Sequence, residues 1–122
     1  MENNLEKENK IYTLAELQSI FTKIGENVEE IKKIILFGSY ARGEANQNSD
    51  IDLYIICHQD VDISTMKNKG KVRINILKLL STEILKNIDI VISNDNILEN
   101  GSKSEYYIEY YVKKEGIVLY EC

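Results

Sequence analysis

The amino-acid sequence predicts an α/β (α+β) domain, a small mixed β-sheet with flanking helices. Three observations lead there. Segments with strand and helix patterns intermix along the chain, the arrangement of a sheet covered by helices. The segment Asp50-Ile51-Asp52-Leu53-Tyr54-Ile55-Ile56-Cys57 is nearly apolar after its start, so it belongs in the interior of a sheet. With 122 residues, the chain has room for one hydrophobic core and little more.

Taken in order, residues 1–10 are polar and read as a disordered arm, leaving residues 11–122 as a single domain. Thr13-Leu14-Ala15-Glu16 is a capping-box sequence, and Leu14, Leu17, Ile20, Phe21 and Ile24 recur at helical spacing. A helix is therefore expected over about Leu14–Ile24, with Gly25 as its stop. Ile31–Phe37 is rich in β-branched residues and reads as a strand ending at Gly38-Ser39, where a short helix is expected to begin. Asp50–Cys57 is the second strand. Val72, Ile76, Leu79, Leu80 and Ile84 predict a helix over about Lys71–Lys86. Asn87–Ser93 is a third strand, and Asn94-Asp95-Asn96 reads as a turn. Ser104–Lys114 is a helix capped by Gly116, and Ile117–Tyr120 is a short closing strand.

Composition narrows the function. At 43% apolar and 29% charged, the chain is an ordinary globular sequence. No apolar run reaches the roughly 18 residues of a membrane span, so no membrane association is expected. The first residues have no apolar stretch of a secretory signal. The formal net charge of −5 argues against the basic footprint of a nucleic-acid binder and suits a protein that binds cations or docks on a basic partner. The two cysteines, Cys57 and Cys122, form no C-x-x-C pair and read as reduced thiols of a cytoplasmic protein.

The chemistry concentrates between Gly38 and Asp52. A strand running into a Gly-Ser turn lets the backbone approach a ligand closely, and a serine hydroxyl beside exposed N–H groups suits phosphate oxygens. Residues two apart on a strand point to one face, so Asp50 and Asp52 present their carboxylates side by side. Two adjacent like charges are costly without a cation between them. Mg²⁺ commonly takes one or two carboxylates plus substrate phosphates, so a phosphate cradle beside this pair forms a candidate Mg·nucleotide site. Ser49-Asp50 alone also reads as a strand-opening turn. The specificity lies in the order: strand, Gly38-Ser39, Arg42-Gly43, a polar loop, Ser49-Asp50-Ile51-Asp52-Leu53, then an apolar strand.

That stretch resembles the signature of the DNA polymerase β-like nucleotidyltransferase superfamily, a Gly-Ser pair followed after about ten residues by Asp-x-Asp. It is most similar to the minimal nucleotidyltransferases, small proteins often found as antitoxins. The resemblance extends to the helix before the first strand and to the closing Glu115–Glu121. It implies the polymerase β-like fold and a third carboxylate on a later strand, for which the match is Asp89 in Asn87-Ile88-Asp89-Ile90. Asp50, Asp52 and Asp89 are then both the catalytic and the metal-binding residues, holding two Mg²⁺ ions, while Gly38, Ser39 and Arg42 hold the nucleotide. The implied reaction transfers AMP from ATP, with release of pyrophosphate, to a hydroxyl, a tyrosine, of a partner toxin. The partner implied is an RNase of the HEPN class (higher eukaryotes and prokaryotes nucleotide-binding domain), held in a hetero-oligomer. Two other readings stand beside this one: a non-catalytic antitoxin that neutralises by binding, and a nucleotidyltransferase of small molecules.

Other residues carry less. Arg42 is equally well read as a surface arginine paired with Glu44. Lys71, Arg73 and Lys78 are read as a solvated helix face rather than as triphosphate contacts. His58, the one histidine, has no ligand-spaced partner and reads as a surface residue. Tyr106, Tyr107, Tyr110 and Tyr111 pair at helical spacing and are expected to pack on the sheet or on a partner. Tyr40 and Tyr54 lie near the site, which leaves self-modification open.

Overall fold

The computed structural model describes residues 10–122, so the arm expected over residues 1–10 lies, Lys10 apart, outside the described residues. Four strands form one sheet in the order β3-β2-β1-β4. They are β1 (Ile31–Phe37), β2 (Ile51–Cys57), β3 (Ile88–Asn94) and β4 (Ile117–Glu121). Strand β1 pairs antiparallel with both β2 and β4, whereas β2 and β3 run parallel. The sheet is therefore mixed, as expected.

Helix α1 (Leu14–Asn27) begins at the predicted capping box: Glu16 N–H donates to Thr13 Oγ1, and Thr13 N–H to the Glu16 carboxylate. It does not stop at Gly25. That glycine is buried inside the helix, where an added Cβ would lie 2.2 Å from the Tyr120 ring, so it is there for the packing of β4 on α1. The helix expected over Lys71–Lys86 is two helices, α2 (Met66–Leu77) and α3 (Thr82–Leu85). Each starts at its own hydroxyl cap, Thr65 and Ser81, and the second cap interrupts what reads as one apolar period. Leu79, counted within that period, is exposed in the gap. Asn94-Asp95-Asn96 is not a turn but the start of α4 (Asp95–Gly101), because Asn94 accepts from Ile97 N–H as an N-cap. Helix α5 (Ile108–Glu115) starts later than expected, leaving Tyr106 and Tyr107 ahead of it.

Strand alternation gives the sheet two unequal faces. Ile34, Leu36, Ile51, Leu53, Ile55, Ile90 and Ile92 face the large core with α1, α2 and α3. Ile35, Tyr54 and Ile56 face a smaller core with Leu98 of α4 and Val112 of α5. Cys57 is buried in the large core, where burial pushes its thiol up to about 11, and Cys122 is exposed. Among the described residues no helix is long and apolar enough to cross a membrane.

Candidate active site

The site stands at one end of the thinner face, where β1 ends and β2 and β3 begin. Asp52 opposes Phe37 of β1 on one side and lies in register with Asp89 of β3 on the other. Since Tyr54 and Ile56 face the smaller core, Asp52 shares their face, and so does Asp89 with Val91. Asp50, one residue before β2, continues the same alternation and is exposed. The fold thus brings the three sequence-predicted carboxylates to one end of one face, with Asp52 central and half-buried.

The turn after β1 is shaped by two glycines. Gly38 has φ +76°, a left-handed conformation that costs other residues about 1–2 kcal/mol, and an added Cβ would lie 2.2 Å from Asp52 Oδ2. Glycine here is what lets the turn come against the central carboxylate. Gly43 closes the same turn at φ +74°. No helix follows Gly38-Ser39, contrary to expectation. Instead residues 39–43 form consecutive turns, with Arg42 N–H donating to Gly38 O at 3.1 Å and Glu44 N–H to Ser39 O at 2.9 Å. Gly43 N–H also donates to Tyr40 O at 3.3 Å, so the left-handed Gly43 closes the segment after a single turn. The Ser39 hydroxyl has no partner among the described residues.

Arg42 Nε donates to Glu44 at 3.0 Å and its Nη1 to Glu115, at the end of α5, at 3.2 Å. It ties the turn to α5 and sits close enough to Asp52 to offset part of the charge there. Burial pushes the Asp52 carboxyl up to about 6, and the neighbouring Asp89 and then Asp50 push in the same direction, against Arg42. None of the three aspartates makes a hydrogen bond or ion pair among the described residues. Nor do any three His, Cys, Asp or Glu side chains there stand together as a ready-made metal cage. A half-buried carboxylate without a donor, flanked by two others, is nonetheless a hard oxygen donor set that fits a divalent cation. Mg²⁺ needs only one or two protein carboxylates when phosphates complete its shell.

Beneath the site lies a network the sequence did not announce. Tyr54, fully buried, donates to Glu109 of α5 at 2.8 Å, and its hydroxyl is 2.7 Å from Ser93 Oγ of β3. Burial drives its hydroxyl pKa well up, with Glu109 adding to the effect. A tyrosine buried this way cannot accept a nucleotide, which removes it as a site of self-modification. The signal available in sequence was the parity of Tyr54 and Ser93 with Asp52 and Asp89. Arg73 is not simply part of a solvated helix face: partly buried, it donates to Ile90 O at the outer edge of β3. Lys71 and Lys78 are exposed on α2 and at its end. Tyr106, Tyr107 and Tyr111 are exposed rather than packed on the sheet, Tyr106 by 92%. Only Tyr110 and Tyr111 touch as rings, edge to face at 5.1 Å. His58 is partly exposed just after β2, away from the carboxylates.

Comparison with known proteins bears on the family and the fold. A family model described as polymerase beta, nucleotidyltransferase, matches residues 16–122. The protein adenylyltransferase MntA of Aphanizomenon flos-aquae is 31% identical over 118 residues, covering 93% of this chain and 73% of its own. A protein of the same name from Thermococcus cleftensis is 41% identical over 46 residues, 35% of this chain and 46% of that one. Among solved structures, a toxin–antitoxin complex with AMP-PNP contains a chain of the same fold, with a TM-score of 0.57 and 22% identity, covering 86% of this chain and 73% of that chain.

Proposed function

Because this chain belongs to the polymerase β nucleotidyltransferase family, we propose that it transfers AMP from ATP to a tyrosine hydroxyl of a partner toxin of the HEPN RNase class, as an antitoxin. That it is a nucleotidyltransferase follows from the family. The nucleotide, the acceptor and the partner are the proposal. They are supported by the relatives' name, protein adenylyltransferase, and by the shared fold of a toxin–antitoxin complex that holds AMP-PNP.

The observation that carries the reading is the register of Asp52 beside Asp89, with Asp50 on the same face and Gly38 closing against Asp52. In this arrangement Asp50 and Asp52 would hold Mg²⁺ together with the triphosphate, and Asp89 would complete the site on its outer side. When bound, Mg²⁺ supplies the positive charge that the phosphates and the carboxylates both lack. The Gly38-Ser39 turn lies against the phosphates, with the Ser39 hydroxyl as a donor. Arg42 reaches them by exchanging Glu44 for a phosphate oxygen. The acceptor oxygen attacks the α-phosphorus as the bond from that phosphorus to pyrophosphate breaks. Asp89, nearest the open edge of the sheet, takes the proton of the acceptor hydroxyl.

The test is to incubate the full chain with Mg·ATP and the product of its neighbouring gene, then take intact masses of both proteins. A gain of whole AMP units on the neighbour, absent with Asp50→Ala/Asp52→Ala, is expected. No gain on either chain, with a stable complex still formed, would leave a protein that neutralises by docking alone. The exposed aromatic group Tyr106, Tyr107 and Tyr111 is the feature that favours this second reading. A gain on a small-molecule acceptor instead would move the acceptor class.

A further inference from the structure

Strand β3 is the outermost strand on its side of the sheet, and no strand pairs with its outer edge among the described residues. Two hydrogen bonds fix which of its main-chain groups face outward. Ile51 N–H donates to Asn87 O at 2.7 Å, so Asn87 turns toward β2. Arg73 Nη2 donates to Ile90 O at 3.2 Å from the other side, so Ile90 turns outward. Main-chain groups alternate between the two edges of an extended strand, so Ile88, Ile90 and Ile92 present theirs to the open edge. A cleft of about 630 Å³ runs along this edge, lined by Arg73, Leu77, Leu85, Ile88, Asp89 and Ile90. Its lining side chains are apolar but for Arg73 and the candidate catalytic Asp89.

We infer that the outer edge of β3 is where the acceptor polypeptide docks, as an added strand that carries its hydroxyl residue to Asp89. This rests on the reading of the chain as a protein adenylyltransferase and names how the acceptor is held. An exposed strand edge is a template for an extended segment, whose main chain supplies affinity and whose alternate side chains supply selectivity. Here the two faces of the edge differ. Ile88 and Ile90 turn to the α2 side, where Leu77 and Leu85 wall the cleft, while Asp89 turns to the carboxylate side. Side chains of an added strand alternate in the same way. One residue therefore fills the apolar cleft while its neighbour is delivered beside Asp89. The acceptor hydroxyl is selected by an apolar residue next to it in the partner's sequence, and the Arg73 guanidinium guards the edge until the segment arrives.

The test uses the full chain and two acceptor peptides, acetyl-Lys-Leu-Tyr-Leu-Lys-amide and the same peptide with both leucines replaced by aspartate. With Mg·ATP, AMP transfer to the first is expected to exceed that to the second by about tenfold or more. Leu85→Glu, at a partly exposed position, abolishes that preference without changing ATP affinity, and Ile74→Glu, on the exposed side of α2, leaves it intact. Amide NMR shifts on adding the leucine peptide with AMP-PNP are expected at Ile88, Ile90 and Ile92. Equal transfer to both peptides, no effect of Leu85→Glu, or shifts confined to other strands would overturn the inference. So would a Leu85-dependent dimer of this chain in the ultracentrifuge, which would give the edge to a second copy. Binding at the edge without any AMP transfer would sink the enzymatic reading and leave the docking edge standing.

Discussion

Asp52 is held in a position that opposes its own charge. Burial and two neighbouring carboxylates raise its proton affinity to about 6 from an ordinary 3.8. The folded protein thus binds this proton more tightly than the unfolded chain does. Its contribution to stability is complete below the unfolded value and is lost as pH rises toward about 6. Asp52→Asn removes the charge and keeps the shape. At pH 7.5 without metal it is expected to raise stability by ~1 kcal/mol, allowing for solvent screening of this partly exposed group, or ~4 °C in melting temperature. It should lower nucleotide transfer by about 100-fold or more. A melt showing no gain would mean that neither burial nor the neighbouring carboxylates oppose the charge of Asp52. Gly38→Ala acts the opposite way on stability. The left-handed backbone and the approach to Asp52 both oppose a Cβ, so the variant is expected to lose about 2 kcal/mol in denaturant unfolding and to transfer poorly.

At the scale of elements, α5 is latched to the sheet from two ends. Tyr54 holds Glu109 from beneath and Arg42 holds Glu115 from the turn after β1. Tyr54→Phe leaves the buried Ser93 hydroxyl without its partner, so a cost of about 1–2 kcal/mol is expected, with faster amide exchange confined to Ile108–Glu115. Uniform acceleration over the whole chain would assign the loss to the core instead. Such cross-element bonds were not legible in the sequence, since they depend on which strands become neighbours. What was legible was local. The Thr13 capping box and the apolar runs of β1 and β2 stand where they were expected. Asp50 and Asp52 were legible as a pair because strand parity sets their common face, whereas Asp89 came only from the family resemblance, and its place beside Asp52 depends on the parallel register of β2 and β3. Two of the misread boundaries share one cause: a capping side chain can serve as a turn or as a helix start. Ser81 split one expected helix into two, and Asn94 began a helix where a turn was expected. Gly25 likewise reads as a stop in sequence, and only the Tyr120 ring above it explains a glycine inside a helix.

For the whole molecule, the formal charge of −5 and the three aspartates at one end lead to the prediction that cation binding stabilises the fold. Mg²⁺ at about 100 times its dissociation constant is expected to add about 2.7 kcal/mol to unfolding free energy. EDTA reverses the gain, and the gain shrinks at pH 5, where Asp52 holds its proton. The triple variant Asp50→Asn/Asp52→Asn/Asp89→Asn should melt independently of Mg²⁺, and a persistent response would place the cation elsewhere. The unequal faces of the sheet carry one more consequence. The large core lies on one side and every candidate catalytic carboxylate on the other, so the residues that keep the chain folded and those that give it chemistry form almost separate inheritances. A lineage can therefore lose its catalysis residue by residue while its scaffold remains intact. Inactive descendants of such a domain would persist as shape alone, still able to seat on whatever their ancestors modified.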